Sequence, residues 1–112
     1  MAVPERRIAV VIRVGSPGQP AFQLRRGEEG LSVFDPDAVD PPLTEDEILD
    51  AFRPGSTLVY RTLDQITDLG LAVAPSEGAD TLPFRLRLSH AEIRPDSGMP
   101  RPAFKNALKS LE

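Results

Sequence analysis

The chain has no cysteine and no tryptophan, and only one histidine and one tyrosine, in 112 residues. The missing cysteines exclude a disulfide framework, a thiolate metal site and a cysteine nucleophile, and they leave the redox compartment open. No apolar run approaches the length of a membrane span. Arg6 and Arg7 precede IAVVI, but that stretch is too short for a secretory core and runs into Arg13. The expectation is a cytoplasmic domain, or one secreted as an effector without a cleaved leader. A basic excess is also missing: the net charge is −4 and the pI about 5.0. Binding driven by phosphate neutralisation needs the opposite sign, so nucleic acid is not expected as a partner.

What is present describes a folded domain. Hydrophobic residues make up 40% and charged residues 27% of the chain, a globular composition. Its length suits one domain over residues 1–112 with a core that needs no metal or disulfide. Twelve prolines and eight glycines are spread along the sequence, which predicts many short elements joined by stiff turns. Charge is unevenly placed. Gly27 to Phe52 holds nine acids and no Lys or Arg, whereas Phe84 to Lys109 holds six bases against Glu92 and Asp96. These stretches read as two solvated faces that attract each other within the fold, or as a basic face for an anionic ligand.

RIAVVIRV (7–14) is β-branched and apolar on both sides, as in a strand covered on both faces. FQLRR (22–26) alternates with Phe22 and Leu24 inward, and a turn at GEEG joins it to LSVF (31–34), which predicts a hairpin. Thr44 and Glu47 form a capping box ahead of Ile48, Leu49 and Phe52, so a helix starts there and stops at RPG (53–55). STLVYRT (56–62) reads as a strand in which Tyr60 packs. Thr62 and Gln65 form a second capping box, opening a short helix that Gly70 ends. LAVA (71–74) and FRLRL (84–88) read as strands, the latter with Phe84, Leu86 and Leu88 inward. AFKNALKSLE (103–112) is a terminal helix. The sum is an α+β domain: a small, mostly antiparallel sheet of about five short strands with two or three short helices.

The lone histidine stands where the leucine run ends. If the strand continues, Leu86, Leu88, His90 and Glu92 share one side, and an apolar stripe turns ionisable at the mouth of the core. Such a place can seat a general acid or base against a ligand. If the strand ends or changes phase, Ala91 and Ile93 pack instead and His90 and Glu92 face water. Arg13 and Arg25 close apolar segments, where a guanidinium can grip a phosphate or carboxylate, pair with a nearby acid, or lay its stem over the core. Ser56 and Thr57 open a strand after Gly55 without a nucleophile-elbow setting. His90 and Glu92 supply two metal ligands and no third at motif spacing.

Three patches occur in order: RRGEEGLSVFD (25–35), GLAVAPSEG (70–78) and HAEIRPDSGM (90–99). Together, over about a third of the chain, they resemble polymorphic-toxin domains of the TreTu type, which are similar to mono-ADP-ribosyltransferases that use NAD to modify a translation elongation factor. The resemblance implies NAD as cofactor, with Arg13 or Arg25 on its phosphates and Ser56 and Thr57 shaping the nicotinamide pocket. It implies Glu92 as the catalytic carboxylate, with His90 helping to hold the ribose or nicotinamide side. A carboxylate suits that task because it can stabilise the positive charge that develops as the glycosidic bond of NAD loosens. The other reading is a non-enzymatic module whose acidic segment or basic face binds a protein partner. Convergence of His90, Glu92 and an arginine on one cavity separates the two.

Overall fold

The computed structural model describes residues 8–112. The first strand begins at Val10, and Arg7, where it was expected to start, lies outside the described residues. Five strands form one sheet: β1 (Val10–Gly15), β2 (Leu31–Phe34), β3 (Thr57–Thr62), β4 (Leu71–Pro75) and β5 (His90–Pro95). Their order is β3-β1-β2-β5-β4, and every neighbouring pair is antiparallel. Among the described residues four short α-helices accompany it, α1 (Glu45–Leu49), α2 (Leu63–Thr67), α3 (Phe84–Ser89) and α4 (Arg101–Lys109), with one 3-10 turn at Pro36–Ala38. The expected α+β class holds.

Alternate side chains of a strand point to opposite faces, and here both faces carry a core. Val11, Leu31, Val33, Ala91 and Ile93 lie under Ile66 of α2 and Phe104 and Leu108 of α4, with Phe22 and Leu24 added from a loop. On the other face, Ile12 and Phe34 lie under Ile48 of α1 and Leu86 of α3, with Leu43 beside them. Each fully buried Val, Leu, Ile or Phe among these stabilises the fold by about 1.5–3 kcal/mol.

Both capping boxes form. Thr44 accepts the Glu47 N–H at 3.1 Å while Glu47 accepts the Thr44 N–H at 3.3 Å. Thr62 and Gln65 make the same exchange at 3.2 and 2.9 Å. After α2 the chain turns at Gly70 with φ 77°, a left-handed conformation that a side chain would strain.

Three local expectations fail. FRLRL is helix α3: Leu86 is fully buried, but Phe84 is 63% and Leu88 50% exposed. Leu86 and Ser89, three residues apart, are the buried pair, which is helical spacing. Pro83 accepts the Arg87 N–H at 3.0 Å and Arg85 O accepts the Ser89 hydroxyl at 2.8 Å. The strand itself starts at His90, where β5 fits between β2 and β4.

FQLRR is no strand either, although Phe22 and Leu24 do point inward. Both flanks of β2 are taken by β1 and β5, so its backbone groups bond to side chains instead. Arg13 Nε donates to Ala21 O at 2.7 Å, and the Glu112 carboxylate accepts the N–H groups of Ala21 and Phe22 at 3.2 and 2.6 Å. Tyr60, expected to pack, is 43% exposed on edge strand β3.

The acidic and basic stretches meet within the fold. Arg85 pairs with Glu47 at 2.5 Å. Arg101 donates to the carbonyls of Glu28 and Arg25.

Candidate functional site

The phase of the chain changes where α3 gives way to β5. Ala91 and Ile93 enter the first core, and His90, Glu92 and Arg94 fall on the opposite face of the sheet. Register sets their neighbours: His90 pairs with Phe34, and Glu92 stands between Ser32 of β2 and Ala74 of β4. The helices that cover this face reach Phe34 through Ile48 and Leu86. Next to that apolar layer lies a cavity. His90, 8% exposed, and the partly exposed Glu92 line it.

The His90 ring meets Phe34 edge-on, with centroids 5.7 Å apart. Its Nδ1 lies 2.9 Å from the Ser76 hydroxyl and 3.2 Å from the Ser76 carbonyl oxygen. A carbonyl only accepts, so the tautomer with the proton on Nδ1 satisfies both contacts. The Ser76 hydroxyl is then free to donate onward to Glu92 Oε1, at a long 3.5 Å. Both hydrogen bonds of the ring to protein run through Nδ1, which leaves the Nε2 lone pair for a ligand.

Glu92 is held from its other oxygen: Arg94 Nε and Nη2 both reach Oε2 at 3.0 Å. The carboxylate fits because residue 30 is glycine. A Cβ there would stand 2.6 Å from Glu92 Oε2.

The cavity has a volume of about 440 Å³, and Arg13, Ser32, Phe34, Phe52, His90 and Glu92 are among its walls. His90 also borders a second hollow of about 460 Å³ with Ser76, Phe84 and Arg87. Glu92 and Ser32 border a third of about 710 Å³ with Arg94 and Gly27 to Gly30. The first and second hollows share His90 and Glu77 as walls, and the first and third share Ser32 and Glu92, so the three stand side by side along β5 as a trench.

Arg13 therefore shares a cavity with His90 and Glu92. Its guanidinium is engaged: Nε donates to Ala21 O and Nη1 donates to Ser32 O at 2.8 Å, tying β1 to β2. Burial lowers its pKa from the ordinary value, with the Glu28 charge opposing.

The other residues singled out in the sequence lie apart from this cavity. Arg25 is exposed, and its backbone N–H donates to Glu28 at 2.7 Å. The Ser56 hydroxyl donates to Arg53 O at 2.6 Å and closes the turn at Gly55. Thr57 pairs with Gly15 at the far end of β3. Ser76, Phe34 and Phe52 were not recognised as site residues. Ser76 and His90 are 14 positions apart, and only the register of β4 on β5 brings them together.

Among the described residues, no group of three His, Asp or Glu side chains is placed to hold a metal, and no helix is long and apolar enough to cross a membrane. No family model matches this chain, and no curated protein or solved structure matches it.

Proposed function

We propose that this domain is a small toxin-like group transferase of the mono-ADP-ribosyltransferase kind, which takes NAD as donor and a protein of the translation machinery as acceptor. The observation that carries this reading is the meeting of His90, Glu92 and Arg13 on one cavity flanked by two more. The donor set fits NAD in kind. An imidazole and a carboxylate stand beside the aromatic walls of Phe34 and Phe52, and Arg13 keeps Nη2 for an anion. When bound, NAD supplies an ADP-ribosyl group joined to nicotinamide by a glycosidic bond.

Glu92, fixed by Arg94 and Ser76, sets negative charge where positive charge develops as that bond loosens. Arg94 fixes the carboxylate's position before the ligand arrives, and Gly30 leaves the room it occupies, so little reorganisation is needed. His90 presents Nε2 as the base that takes the proton of the acceptor nucleophile. Phe34 and Phe52 keep the walls apolar, which strengthens both charges.

The test is release of nicotinamide from NAD by the purified domain in a translation extract. Wild-type protein is expected to release it, and Glu92→Gln to lower the rate by about a hundredfold or more. Equal rates from the two proteins, or none above background, contradict the reading. One observation favours the second reading, a non-enzymatic module for a protein partner: two donors of Arg13 are spent on backbone carbonyls inside the fold.

A further inference from the structure

The hollow on the outer side of His90 contains features that the transfer reaction does not use. Among the described residues, Arg87 Nε is the buried side-chain nitrogen or oxygen without a hydrogen-bond partner. A buried donor in this state has given up water and gained nothing. The rest of the guanidinium is weakly held: Nη1 stands 3.9 Å from Asp80, whose side chain is 98% exposed, and the fork lies 5.5 Å from the Phe84 ring centroid. Phe84 and Leu88, four residues apart on α3, are the two most exposed large apolar side chains among the described residues. Both line this hollow with Pro75, Ser76 and Glu77. A weakly paired cation with one unsatisfied donor thus sits beside two uncovered apolar side chains, in a shallow recess on the surface.

We propose that this recess docks a segment of a partner protein that carries an acidic side chain next to an apolar one. The carboxylate accepts from the Arg87 fork, a pairing that Arg favours through its planar geometry. Phe84, loosely held, moves off the guanidinium and covers the apolar neighbour together with Leu88. Glu77 at the rim repels a second acid, so the segment carries one carboxylate at the fork and not an acidic run. Charge complementarity to Arg87 calls for the acid, and the open shape of the recess with its exposed Phe84 and Leu88 favours a protein segment over a small free acid, which is held best in an enclosed pocket. The inference does not depend on NAD binding: His90 and Glu77 are walls of both hollows, whereas Arg87, Phe84 and Leu88 line this one and not the Arg13–Glu92 cavity.

The test uses the whole chain, labelled with nitrogen-15, and the blocked peptide acetyl-Ala-Phe-Asp-Leu-Ala-amide. The Asp peptide is expected to shift the amides of α3 and the Arg87 Nε–H signal, and to bind about tenfold or more tightly than the same peptide with Asn. Arg87→Gln removes that preference, and Leu88→Ser, at an exposed site that leaves the fold intact, weakens both peptides. Equal binding of the Asp and Asn peptides, or no shift at millimolar peptide, overturns the proposal. Binding of 4-phenylbutyrate as tight as that of the peptide overturns it in favour of a small-acid site. Shifts at the same amides on concentrating the protein alone overturn it in favour of self-association.

Discussion

At Nδ1 of His90 two oxygens of one residue, Ser76, meet one nitrogen. Because one of them is a carbonyl, the neutral ring is expected to carry its proton on Nδ1 and leave Nε2 with the lone pair. Long-range nitrogen-15 spectra of the neutral ring test this directly. A deshielded, unprotonated Nε2 agrees, and an Nε2–H tautomer would remove the base from the proposed site. At this scale part of the site was legible. The spacing of His90 and Glu92 placed them on one side of a strand, and they are on one side. Arg13 stood out as a charge in an apolar strand. Ser76 carried no signal, since a serine in a loop gains its role only from the strand opposite.

At the scale of elements, helix α3 is the informative case. FRLRL alternates as a strand does, yet it also places Leu86 three residues before Ser89 on one side of a helix. Two substitutions separate these geometries. Leu86→Ala is expected to cost about 2–5 kcal/mol, as for a fully buried leucine. Leu88→Ala is expected to cost less than about 0.5 kcal/mol, as for an exposed position. Denaturant unfolding measures both, and equal large losses would restore the strand. The capping boxes were legible because they are local: four residues contain the whole hydrogen-bond exchange. The strand of 84–88 was misread because sheet pairing is not local, and β5 holds the slot between β2 and β4.

The junction of α1 with α3 gives a pH prediction. The hydrogen bond from Arg85 holds the Glu47 carboxyl below its ordinary range, with burial opposing. A lowered pKa in the folded state stabilises above the unfolded pKa, and that contribution fades as pH falls through the folded one. Glu47→Gln keeps an acceptor for the Thr44 N–H but loses the charge. Its melting temperature is therefore expected to lie below wild type at neutral pH and to converge with it in acid. A gap that persists well below the carboxylate range would contradict this role.

Across the whole molecule, a sheet covered on both faces explains where the trench lies. One apolar layer runs the length of β5 through Ala91 and Ile93. The other reaches Phe34 and Leu86, and the same face continues in Ser32, His90 and Glu92 around the cavity. The α+β class followed from the succession of strand and helix patterns, and the many short elements from the even scatter of proline and glycine. The order of strands did not, because β2 and β5 lie far apart in the chain and pair only in the folded state. The separation of function from fold follows the same line: the residues of the trench come from β1, β2, β4, β5, α3 and three loops. NAD titrated into the nitrogen-15-labelled protein tests the trench most directly. The amides of Ser32, Ser76, His90 and Glu92 are expected to shift together and saturably, with those of α4 unmoved. An unchanged spectrum at millimolar NAD, or shifts confined to the region of Arg25, Ser56 and Thr57, would contradict NAD binding between the imidazole and the carboxylate.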